Sequence, residues 1–121
     1  MAPALTELSR FKRLAELFVL AMKAEPFISV DQNREVIYCL MEHGLSEKDA
    51  EQFLEDAFER YERGMVRSLE QTLVNIQDAF YPMDHPTILT EVQNILESGR
   101  LDDNIQTFFD LCSKHLYTKK E

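Results

Sequence analysis

From Ser46 to Tyr61 the apolar residues fall at Ala50, Phe53, Leu54, Ala57, Phe58 and Tyr61. This i, i+3, i+4, i+7 spacing lays one continuous apolar stripe along a helix of 3.6 residues per turn. A half-buried strand would instead alternate apolar and polar residues with period two. The same helical period recurs along most of the chain, and no segment shows strict alternation. The expected fold class is therefore all-α, a compact bundle of five to six helices. With 121 residues, 45% of them hydrophobic, one domain over 1–121 can bury a single core without a disulfide framework or a structural metal.

Start and stop signals divide the pattern. Pro3 and Thr6 can open a first helix of about residues 4–25, whose Leu14, Leu17, Phe18, Leu20, Ala21 and Met22 are apolar nearly all round, the mark of a central helix. Ser29 with Gln32 fits a capping box. The second helix turns Val36, Ile37, Leu40 and Met41 inward and ends at Gly44, where glycine can take the left-handed cap conformation. Ser46 opens the third helix. Gly64 separates it from a fourth running from about Met65 to Phe80, with Val66, Leu69, Leu73, Ile76 and Phe80 on one stripe. Tyr81-Pro82 ends the fourth, and Asp84 is the expected N-cap of a fifth that buries Ile88, Leu89, Val92, Ile95 and Leu96 before Gly99. Asp102 caps a sixth, with Ile105, Phe108, Phe109, Cys112 and Leu116 facing the core.

Setting Gly44 against Gly99 aligns the two preceding helices without a gap. Ile37 then matches Val92, Leu40 matches Ile95, Met41 matches Leu96 and Glu42 matches Glu97. Further upstream, Ile28-Ser29 falls against Met83-Asp84, each shortly after a proline. The expectation is a pseudo-repeat of two helical halves, about 10–63 and 65–117, with their first helices side by side.

These corners resemble those of the tellurite-resistance TerB-like family, all-helical domains of two related halves. The family's corner is a helix ending in lysine or alanine, then alanine-aspartate-glycine, an acidic residue, an aliphatic residue, a serine or aspartate cap and a glutamate-rich helix start. Lys23-Ala24-Glu25-Pro26-Phe27-Ile28-Ser29-Val30-Asp31-Gln32 looks like a worn copy, and Ala79-Phe80-Tyr81-Pro82-Met83-Asp84-His85-Pro86 like a second, more worn one. The resemblance spans about residues 10–116 and implies divalent-metal binding at the acidic corners, in a stress-response setting. Glu25, Asp31 and Asp84 are the residues that would carry it here. The family's aspartate-glycine is replaced by Glu25-Pro26 in one corner and Phe80-Tyr81 in the other. A hard cation needs six to eight oxygens and a flexible turn, so no metal site is favoured.

Charge restricts the partners. A net charge of −9 argues against direct binding to nucleic acid, whose phosphates are bound by Lys and Arg. Cys39 and Cys112 lie in apolar helical patterns with no close cysteine neighbour, which points away from a disulfide or cysteine-rich zinc site and towards a reducing cytoplasm. No apolar run is long enough for a membrane span, and the N-terminus lacks the pattern of an export signal. No nucleophile with a base in reach and no glycine-rich phosphate loop is legible, so an enzyme is not expected.

The most distinctive surface is on the third helix, where Glu47, Glu51, Glu55 and Glu59 recur every four residues opposite the apolar stripe. Between Glu42 and Arg63 eight acids face three bases, a balance of −5. Pairs at i, i+4, Asp56 with Arg60 and Glu59 with Arg63, offset only part of that repulsion. The sequence thus suggests a non-enzymatic helical interaction module whose acidic third-helix face, or the groove between its halves, meets a protein partner of basic character. Self-association stays open. The alternatives are a divalent-metal-binding tellurite-resistance or stress protein and an acidic nucleic-acid mimic that inhibits a basic protein.

Overall fold

The computed structural model describes residues 4–24, 30–66, 68–98 and 103–116. They form six helices and, among the described residues, no strand: α1 (Ala4–Lys23), α2 (Val30–Glu42), α3 (Glu47–Glu62), α4 (Leu69–Ala79), α5 (His85–Glu97) and α6 (Asp103–Leu116). A 3-10 turn, Pro82–Asp84, leads into α5. The fold is an all-α helical bundle, as the periodicity implies.

α1 occupies the centre because its stretch from Leu14 to Met22 is apolar nearly all round. Leu14, Ala15, Leu17, Phe18, Val19, Ala21 and Met22 are all fully buried. The helix touches α2, α3, α4 and α5, while α6 closes the far side against α4 and α5. Each large side chain buried here contributes about 1.5–3 kcal/mol.

Two glycine turns set the angles between helices. Gly44 and Gly64 have φ of +115° and +72°, values that a residue with a Cβ rarely adopts. At Gly64 the Met65 amide donates to the Arg60 carbonyl at 2.8 Å and the Gly64 amide to Tyr61 at 3.0 Å. This 6→1 and 5→2 pair is a Schellman cap. It makes α3 and α4 separate helices.

Three sequence expectations need correction. α4 begins at Leu69, not near Met65, because Ser68 is its N-cap and its Oγ accepts from the Gln71 amide at 3.2 Å. Met41 points outward at 39% exposure: the buried arc of α2 is Gln32, Val36, Cys39 and Leu40, and Met41 lies across the helix from its centre. Asp84 makes no side-chain cap hydrogen bond. Its φ of −89° and ψ of −15° are already helical, because the 3-10 turn runs straight into α5, whereas a capping side chain needs an extended backbone. The Ser29 cap, the Gly99 stop and the Asp102 cap lie outside the described residues.

Candidate functional site

α3 presents the acidic stripe as its spacing implies, because its other face is committed to the core through Ala50, Leu54 and Ala57. Glu47, Glu51, Glu55 and Glu59 are all exposed. Ser46 fixes the start of the helix, its Oγ accepting from the Asp49 amide at 3.1 Å. Glu59 is answered by Arg63 at 2.8 Å, an exposed pair of small value. Glu51 and Glu55 have a different setting. They stand on the edge of a groove between α2 and α3 with a volume of about 280 Å³, lined also by Asn33, Ile37, Leu54 and Phe58. The floor is apolar and the rim is anionic.

The expected Asp56–Arg60 pair is not formed. Asp56 accepts from Gln52 at 3.0 Å, and Arg60 turns inward so that its Nε donates to Glu16 Oε2 at 2.7 Å. Glu16 is only 7% exposed on α1. An uncompensated buried carboxylate costs far more than an exposed i, i+4 pair returns, so the guanidinium goes to Glu16.

A second buried carboxylate lies on α5. Glu91 is 5% exposed, and its Oε1 is 2.7 Å from Nε2 of His43, in the turn after α2. Burial pushes the Glu91 carboxyl above its ordinary range, while the His43 hydrogen bond pulls the other way. His43 also meets the Phe80 ring edge-on, with centroids 6.1 Å apart. Both pairs went unread in the sequence, yet each left a trace. Glu16 interrupts the apolar run of α1, and Glu91 sits between Ile88 and Ile95 at i+3 and i−4, inside the buried arc of α5.

The thiols are buried and protonated. Burial, with the charges of Glu91 and Glu35 adding to it, raises the Cys39 pKa strongly. Burial alone pushes Cys112 up to about 12. Neither has the anionic form that nucleophilic chemistry requires.

The metal candidates are placed only in part. Asp31 is exposed in the first turn of α2. Asp84 lines a small recess with Arg10, Phe11, His43 and Phe80, in which Arg10 lies over the Phe80 ring. Glu25 lies outside the described residues. Among the described residues no group of three His, Cys, Asp or Glu side chains is placed to hold a metal ion, and no helix is long and apolar enough to cross a membrane.

Compared with protein-family models, with characterised proteins and with solved structures, the chain matches none.

Proposed function

We propose that the protein is a non-enzymatic interaction module that receives a basic, amphipathic segment of another protein in the α2–α3 groove. The observation that carries this reading is the pairing of an apolar floor, Ile37, Leu54 and Phe58, with the rim charges of Glu51 and Glu55, which form no ion pair among the described residues. An apolar anchor side chain fills such a floor, and Lys or Arg one turn away along the same segment reaches the rim. That is the helix-in-groove mode of recognition, read at i, i+3 and i+4. Charge complementarity favours a basic occupant, since like charge at the rim would repel an acidic one. The protonated, buried thiols support binding over catalysis.

The test is titration of the labelled protein with a basic amphipathic peptide, a charge-reversed version and a version with its apolar residues replaced by Ser, followed by amide shifts. Shifts centred on Asn33, Ile37, Leu54 and Phe58, seen with the first peptide only and weakened by salt, are the expected result. Glu51→Lys with Glu55→Lys should abolish them and leave the helical circular dichroism intact. Equal binding of all three peptides, or binding unaffected by the double reversal, would overturn the reading.

A further inference from the structure

We propose that the cavity between α1, α3 and α4 is a binding site for a small phosphate-bearing anion. Its volume is about 470 Å³, and its walls are Lys12, Arg13 and Glu16 from α1, Arg60 from α3, and Gln71 and Asn75 from α4. That volume lies in the range of small-molecule sites. In a chain with a net charge of −9, a cavity whose walls hold three cations against one carboxylate stands apart from the rest of the surface.

The carboxylate is already engaged. Arg60 gives its Nε to Glu16 at 2.7 Å, and this bond fixes the plane of the guanidinium. Nη2 of the same group is buried and makes no hydrogen bond with any described residue. Held in a fixed plane through Nε and still 20% exposed at the cavity wall, the guanidinium offers rigid donors of the kind that suits phosphate oxygens. Gln71, in the first turn of α4, donates to Asn75 Oδ1 at 3.2 Å, which leaves Asn75 its own amide donors, and the positive end of the helix near Gln71 favours negative charge. Three cations exceed what the two oxygens of one carboxylate can satisfy. A phosphate group, with its larger charge and three acceptor oxygens, matches them better. Met65, exposed at the cavity wall, gives apolar contact for an organic group attached to the phosphate. The site is independent of the α2–α3 groove and of whatever occupies it.

Calorimetry and thermal melts with inorganic phosphate, pyrophosphate and adenosine triphosphate at millimolar concentration, against sodium chloride of equal ionic strength and against citrate, test the assignment. Pyrophosphate or the nucleotide should raise the melting temperature in a dose-dependent way, with amide shifts at Arg13, Gln71 and Asn75. Lys12→Gln with Arg13→Gln, which leaves the Arg60–Glu16 bond alone, should weaken binding by about tenfold or more. Arg60→Lys retains a charge for Glu16 but loses the planar guanidinium donors, and should weaken binding while the fold persists. No stabilisation by any phosphate, affinity unchanged in the double variant, or citrate binding as tightly as pyrophosphate would overturn it.

Discussion

Glu16 in α1 and Glu91 in α5 are nearly inaccessible, at 7% and 5% exposure, and each lies 2.7 Å from a basic side chain of another segment. Glu16 is held by Arg60, whose charge cannot be titrated away in the working range of a protein. Glu91 is held by His43, and burial keeps the Glu91 carboxyl protonated to higher pH than an ordinary one. The first pair is a permanent strut between α1 and α3, with its guanidinium at the wall of a cavity. The second joins the end of α2 to α5 by a bond whose charge depends on pH. Two interior carboxylates of similar burial thus differ in one respect, the partner, and from that difference follow different responses to mutation and to acid.

The largest effect should come from breaking the permanent pair on one side only. Arg60→Ala takes from buried Glu16 the cation hydrogen-bonded to it, and removing one partner of a buried pair costs about 3–5 kcal/mol. Arg60 keeps some exposure, 20% of its side chain, so the lower end of that range is expected. Replacing both partners, Glu16→Met with Arg60→Met, removes the charges together and should recover most of the loss. Urea unfolding of the unaltered protein and the two variants measures this. Equal destabilisation by the single and the double replacement would show that shape, and not charge, holds α3 to α1.

A smaller effect is expected at the titratable pair, and it carries a pH signature. His43→Ala removes a hydrogen bond to a buried carboxyl, worth about 1–3 kcal/mol. Glu91→Gln retains shape and bonding capacity and should be nearly neutral. The sign of the pH dependence follows from the raised Glu91 pKa. Between the unfolded carboxyl value near 4.5 and the higher folded value, the native state holds more protons than the unfolded state. Stability from this group is therefore fully present below the window and falls as pH rises through it. Glu35 and Glu42 push the Glu91 pKa in the same direction as burial does, and His43 opposes them. Melting temperatures measured upward from pH 4 should thus show a steeper decline in His43→Ala and a flatter one in Glu91→Gln. Identical slopes in all three proteins would remove Glu91 from the account.

The same contrast explains what was legible in the sequence. Helices α3 and α5 could be read because a repeating apolar stripe is a property of one segment, and the Ser46 and Gly64 punctuation is equally local. The acidic face of α3 was legible for that reason too. The groove beneath Glu51 and Glu55 was not, since its floor needs Ile37 of α2 beside Leu54 and Phe58 of α3. Arg60 shows the limit most clearly. Spacing along one helix offered Asp56 as its partner, but Glu16, 44 residues away, won it because desolvation makes the distant need more urgent. Met41 failed through a local ambiguity: several neighbouring apolar residues leave the centre of a helical arc undefined, and Cys39 was the residue that turned inward.

The smallest expected effect uses Cys39 as a reporter of the charge on Glu91. Burial raises its pKa first, and the Glu91 carboxylate is the next cause; for Cys112 burial is the only cause. Glu91→Gln removes the anion but not the burial, so the Cys39 thiolate becomes somewhat less disfavoured. Alkylation with iodoacetamide at pH 8 should be very slow at both thiols in the native protein. In Glu91→Gln it should quicken at Cys39 by less than about tenfold, a shift of under one pKa unit. Cys112 serves as the internal control, since looser packing would expose both sites. Mass spectrometry of the labelled peptides separates the two cases: a rise at Cys39 alone reports lost charge, whereas a parallel rise at Cys112 reports opening of the bundle and would deny Glu91 an electrostatic role.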